Sequence, residues 1–154
     1  MFDRLRQWFE VGNEGEFSGG GDALQMAVAA LLIETARAEH ALSEHDRSLI
    51  GTLLERRFGI APEQARELEA AAERRAEQSA QLFGFARTIN EGLTREQRTE
   101  VIELLWEVAY GDGALDPLED SLLRRIAGLI DVSDHARGEA RLRVLKRHGL
   151  TDQE

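Results

Sequence analysis

The chain has 154 residues, of which 42% are hydrophobic and 31% charged, with a formal net charge of −10 at pH 7 and no cysteine. Those values suit one compact domain with its own core, and the missing cysteine excludes disulfide scaffolds, thiolate metal sites and thiol redox chemistry. The acidic balance argues against a phosphate backbone as partner, because nucleic-acid affinity rests on lysine and arginine neutralising phosphates; cations and other proteins are the partners to consider.

Taken from the start of the chain, Phe2, Leu5, Trp8 and Phe9 share one face of a short amphipathic helix. Packing on the chain's own bundle is the preferred role for that face over docking on a partner or a membrane surface. Glycines 12, 15, 19, 20 and 21 follow, with no Lys-Ser or Lys-Thr behind them and no strand in front, so they read as a connector and not as a phosphate-cradling loop. The organisation expected is therefore residues 1–21 as short helix plus connector and residues 22–154 as the helical domain.

Asp22 is placed to cap a helix running to about Glu39. It is apolar on most sides, with Leu24, Val28, Leu31, Leu32 and Thr35 as its strongest stripe. Its longest apolar run, Met26 to Ile33, is far too short to span a bilayer, and the first ten residues lack the apolar stretch of a secretion signal, so a cytoplasmic protein with no membrane partner is expected. Ser43 with Asp46 three residues on forms a capping-box pattern that opens a helix over Leu49, Ile50, Leu53 and Leu54 to about Phe58, closed by Gly59. Pro62 suits the first turn of the next helix, which is read as continuing to about Phe83 with Ala65, Leu68, Ala72, Leu82 and Phe83 inside. Gly84 and Gly92 are read as punctuation. Thr94 and Gln97 repeat the capping-box pattern and begin a helix to about Gly111; Asp116, Pro117 and Glu119 begin another, and Ser133 a last, basic one ending near His148. With two prolines and no alternating Val/Ile/Thr run, the fold class expected is all-α, a single compact bundle of about seven helices.

Sliding the chain by about 73 residues superimposes Val28, Leu31, Leu32, Glu34, Ala36, Ala41, Leu42, Ser48 and Leu49 on identical residues. That density of coincidence points to a duplicated helix-turn-helix, each copy hiding its apolar face against the other in a pseudo-two-fold bundle. Two acids seven apart recur in both turns: Glu39 and Asp46 in the first, Asp112 and Glu119 in the second. Glu39 lies four after Thr35 and seven after Leu32, and Asp112 four after Val108 and seven after Leu105, so each extends a core stripe inward. Asp46 and Glu119 stand in a like relation to the stripes that follow them. Capping by itself would select Asp46 and Glu119. It does not explain Glu39 or Asp112, since a carboxylate at a helix C-terminus opposes the dipole; a hard divalent cation bound by carboxylates and turn carbonyls would favour them. Neither turn has the spacing of an EF-hand loop, so such a site would be assembled from both turns.

The two turns, Leu31-Leu32-Ile33-Glu34-Thr35-Ala36-Arg37-Ala38-Glu39-His40-Ala41-Leu42-Ser43 and, more closely, Leu105-Trp106-Glu107-Val108-Ala109-Tyr110-Gly111-Asp112-Gly113-Ala114-Leu115-Asp116-Pro117-Leu118-Glu119, resemble those of the tellurite-resistance TerB-like family of bacterial proteins. The likeness runs from about Asp22 to Leu145. It implies a helical bundle with internal symmetry, a role linked to tellurite or chemical stress, and a metal-binding acidic site at Glu39, Asp46, Asp112 and Glu119, with Glu34 and Glu107 as supporting acids. The first turn departs from the family's Asp-Gly in having Glu39-His40, and His40 and His45 add imidazoles that would shift preference towards Zn²⁺. Ca²⁺ or Mg²⁺ is nevertheless the expected ion, Zn²⁺ the less favoured one.

No nucleophile-base set and no His-Glu-x-x-His motif is present, so no catalytic residue is assigned and a non-enzymatic protein is expected. The function expected is a non-enzymatic, TerB-like stress-response protein holding a divalent ion. The competing reading is a metal-free protein-protein interaction module whose acids cap helices or meet a basic partner. Arg141, Arg143, Lys146 and Arg147 make the tail basic, which suits a helix end complementing its own dipole.

Overall fold

A computed structural model describes residues 20–38, 40–76, 82–111 and 115–149. Among the described residues there are seven α helices and no strand: α1 (Gly20–Ala36), α2 (Glu44–Phe58), α3 (Pro62–Ala76), α4 (Leu82–Gly92), α5 (Arg95–Ala109), α6 (Pro117–Leu129) and α7 (Asp134–Arg147). The total agrees with the expected seven by a different route. The helix expected over Phe2–Phe9 lies outside the described residues, and α4 is a helix that the sequence pattern did not reveal.

Helix α1 is the hub. Leu24 and every residue from Ala27 to Ile33 are buried, as are Thr35 and Ala36, which leaves almost no solvent face. Thr35 is tolerated there because its hydroxyl donates to the Leu31 carbonyl at 3.0 Å. The helix begins at Gly20, two residues before Asp22, so Gly20 and Gly21 belong to it and not to a connector; it ends at Ala36, three residues before Glu39. Helices α3, α4, α5, α2 and α6 all pack against it.

The caps form as the sequence dictates. Ser43 Oγ accepts from the Asp46 N–H at 3.0 Å and Asp46 Oδ2 accepts from the Ser43 N–H at 2.9 Å, while Gly59 takes the left-handed φ of 65° that closes α2. Thr94 and Gln97 make the same reciprocal pair at the start of α5. Asp116 caps α6 by accepting from the Leu118 N–H at 2.7 Å, and Ser133 caps α7 by accepting from the Ala136 N–H at 3.0 Å. Each supplies an acceptor to an N–H that the helix start leaves without an internal partner.

The helix expected from Pro62 to Phe83 is overturned. Helix α3 ends at Ala76, and α4 is a separate element whose inward stripe is Phe85, Ala86 and Ile89. Phe83 lies two positions from Phe85, about 200° around the helix, and is 63% exposed instead of buried. Gly84 does not punctuate: it lies within α4, where its carbonyl accepts from the Thr88 hydroxyl at 3.1 Å. Ala65 and Ala72, by contrast, are wholly buried as expected, and their small side chains let α3 lie close against α1.

The duplication is visible in the packing. Helices α1 and α5 pack on each other; α1 touches α6 and α5 touches α2, the two cross-contacts a two-fold requires. Helix α3 packs on both helices of its half, and α7 does the same in the other, with α4 between the halves in sequence. The repeat unit is thus three helices. Repeat-related residues share their burial: Val28 with Val101, Leu32 with Leu105, Ile50 with Leu123 and Ala36 with Ala109 are all in the core. The longest side chain there, Trp106, donates its Nε1–H to the Arg137 carbonyl at 3.1 Å, which ties α5 to α7.

Candidate metal centre at the paired turns

The end of α1 and the start of α2 frame the first turn; the end of α5 and the start of α6 frame the second. Across them, His45 Nε2–H donates to the Gly111 carbonyl at 3.0 Å. Gly111 is held close to the first half, since a Cβ there would stand 2.7 Å from Leu49 Cδ2, so a larger residue would require the Leu49 side chain to shift. On the other side, Ala38, His40 and Ala41 face Leu118, Ser121, Leu122 and Arg125 of α6 across a cavity of about 710 Å³. Each turn therefore lies over the second helix of the opposite half.

Glu39 and Asp112 lie outside the described residues. Asp46 is half-buried in its capping box, with Oδ2 4.0 Å from His40 Nδ1. The same His40 ring nitrogen is 2.7 Å from the Ala41 carbonyl, to which it donates. Glu119 is only 8% exposed although it sits in the first turn of α6. The two supporting acids have basic partners: Glu34 takes Arg37 at 3.0 Å, and Glu107 takes Arg147 at 2.8 Å and lies 2.6 Å from His148 Nε2. Burial opposes the Arg147 charge, but Glu107 and Glu103 outweigh it and hold the guanidinium pKa above its usual value. Among the described residues no three His, Asp or Glu side chains converge to hold a metal ion. A two-turn centre would therefore need Glu39 and Asp112 to complete it.

The basic tail has a tertiary role beyond the dipole. Arg141 Nε donates to the Tyr110 hydroxyl at 2.7 Å and its guanidinium lies 6.0 Å from the Trp106 ring, while Arg143 and Arg147 reach Glu103 at 2.7 and 3.2 Å. Opposite charges placed on facing stripes of α5 and α7 produce this pairing.

A second acidic cluster was not evident from the sequence reading. Glu69 of α3 is 6% exposed, and its Oε2 has no hydrogen-bond partner among the described residues. Burial, and next the charge of Glu73, raise its pKa from 4.5 to about 7 against the opposing pull of Arg47. Arg47 itself is claimed by Glu73 at 3.0 Å, a hydrogen bond that raises the arginine pKa. The signal was available, since Glu69 stands four after Ala65 and three before Ala72 on their buried stripe.

These features define an all-helical bundle made of two three-helix halves, with its repeat-related turns meeting across the pseudo-two-fold. The chain belongs to the TerB family: the sequence model of the family described as Tellurite resistance protein TerB matches residues 25–142. That match covers most of the chain and spans α1 to α7. Comparison with curated proteins and with solved structures gives no significant match.

Proposed function

We propose that this TerB-family chain is a non-enzymatic stress-response protein of the cytoplasm, linked to tellurite resistance, that binds one divalent cation between its two turns. The observation that supports the reading is the His45 to Gly111 hydrogen bond at 3.0 Å, which ties the first turn to the second. Asp46 and Glu119 supply carboxylates from the starts of α2 and α6, and the sequence adds Glu39 and Asp112 seven residues before them. Hard cations take such oxygen sets, so Ca²⁺ or Mg²⁺ fits better than Zn²⁺. Among the described residues no helix is long and apolar enough to cross a membrane. Direct capture of tellurite at these acids is disfavoured, because the oxyanion carries the same sign of charge.

The test is calorimetric titration of chelator-treated protein with Ca²⁺, Mg²⁺, Mn²⁺ and Zn²⁺. Binding that disappears in both Asp112→Asn and Glu119→Gln supports the reading, and silence with every ion overturns it. The second reading, a metal-free module for a protein partner, is favoured by one observation: the capping box fully accounts for Asp46. It predicts that Asp46→Ser leaves any metal affinity unchanged.

A further inference from the structure

Helices α2 and α3 enclose a cleft of about 380 Å³ that starts beside the first turn at Glu44 and runs along both helices. Its walls are built from one face of each helix. Helix α2 contributes Glu44, Arg47, Gly51 and Glu55, and α3 contributes Ala65, Arg66, Glu69 and Glu73. Four carboxylates thus meet two guanidinium groups. One of those, Arg47, is already shared between Glu73 at 3.0 Å and Glu44 at 3.6 Å, so the cleft keeps an excess of negative charge.

At its floor, Glu69 points across to α2, with Oε1 3.7 Å from the place where a Cβ on Gly51 would stand. The residue is 6% exposed and its Oε2 is buried without a hydrogen-bond partner among the described residues. A buried carboxylate oxygen in that state lacks the donor that such groups almost always find. Around it the lining is small and apolar at Gly51, Ala65 and Ala70, which suits methylenes. No three of the acids converge as a metal cage would demand. A donor on a flexible carbon stem meets the geometry better than a bare ion.

We infer that the α2–α3 cleft binds a small aliphatic amine, its ammonium donating to Glu69 and its methylenes lying over Gly51 and Ala65. The charges facing Glu69 are Glu44, Arg47 and Glu55 from α2 and Arg66 and Glu73 from its own helix. From α1 the nearest charges at the α3 end are Arg37, which holds the Ala76 carbonyl at 3.2 Å, and its partner Glu34. An arriving ammonium favours the ionised form of Glu69, so binding near neutral pH expels a proton.

The experiment is calorimetric titration of the full chain with 1,4-diaminobutane at pH 6 and pH 8, with 1,4-butanediol as the uncharged probe of equal length. Because the Glu69 pKa is about 7, affinity should be about tenfold higher at pH 8 than at pH 6. At pH 7 the heat should change with buffer ionisation enthalpy, reporting proton release. Glu69→Gln should remove the pH dependence and most of the affinity. Gly51→Ala keeps the helix and puts a methyl 3.7 Å from Glu69 Oε1, where the ligand's methylenes would lie, so it should weaken binding while the circular dichroism spectrum stays that of the parent. Absence of diamine binding, equal binding of the diol, or unchanged affinity in Glu69→Gln overturns the assignment.

Discussion

Glu69 is a side chain whose burial opposes the fold. Its folded pKa of about 7 exceeds its ordinary 4.5, so the native state holds the proton more tightly than the unfolded chain does. Stability from this group is therefore fully present below pH 4.5 and is lost as pH rises through about 7. Discounted for solvent screening, the loss is about 1–2 kcal/mol. Urea unfolding of Glu69→Gln at several pH values should show that slope removed and the variant more stable than the parent at pH 8. A slope that persists in the variant would assign the pH dependence elsewhere. Trp106 represents the opposite case, a large side chain wholly buried with its one polar atom satisfied by Arg137. Trp106→Ala should cost about 3–5 kcal/mol in the same measurement.

At the scale of the element, helix starts are decided by local chemistry. Ser43 and Thr94 each open a helix with a reciprocal box, so Ser43→Ala and Thr94→Ala should each lower stability by about 1 kcal/mol. The two costs should add, because the caps open different helices; chemical denaturation of the single and double variants checks this. The same local chemistry made α2, α5 and α7 readable from sequence, with ends at Gly59 and His148 where expected. It failed between residues 62 and 92 for a physical reason. Phe83 and Phe85 are chemically alike, and composition does not say which of them faces inward; the choice falls to Phe85 because it shares a stripe with Ile89. Glu69 was overlooked for the converse reason, being a charged residue on a stripe otherwise marked by alanines.

At the scale of the molecule, the two halves share one core through the α1–α5 contact, so neither has a complete core of its own. Leu32→Ala and Leu105→Ala, both wholly buried and related by the repeat, should each cost about 2–5 kcal/mol. Each variant should still unfold in one transition, because removing packing from either half weakens the shared interface. Calorimetry showing two separate transitions would mean that the halves fold independently.

Periodicity, caps and self-similarity, all readable within a few turns of helix or by comparing the chain with itself, were enough to establish the all-helical class and the duplication, while the family was legible only as a resemblance of the two turns, which the match over residues 25–142 bears out. They also placed acids at both turns. What they could not establish is which groups meet across the fold. The His45 bond to Gly111, the capture of Glu107 by Arg147 and His148, and the stranding of Glu69 opposite Gly51 join residues on different helices, some of them more than forty positions apart. Such pairings depend on how helices pack, and packing is set by the whole core at once; local sequence carries the donors and acceptors but not their partners.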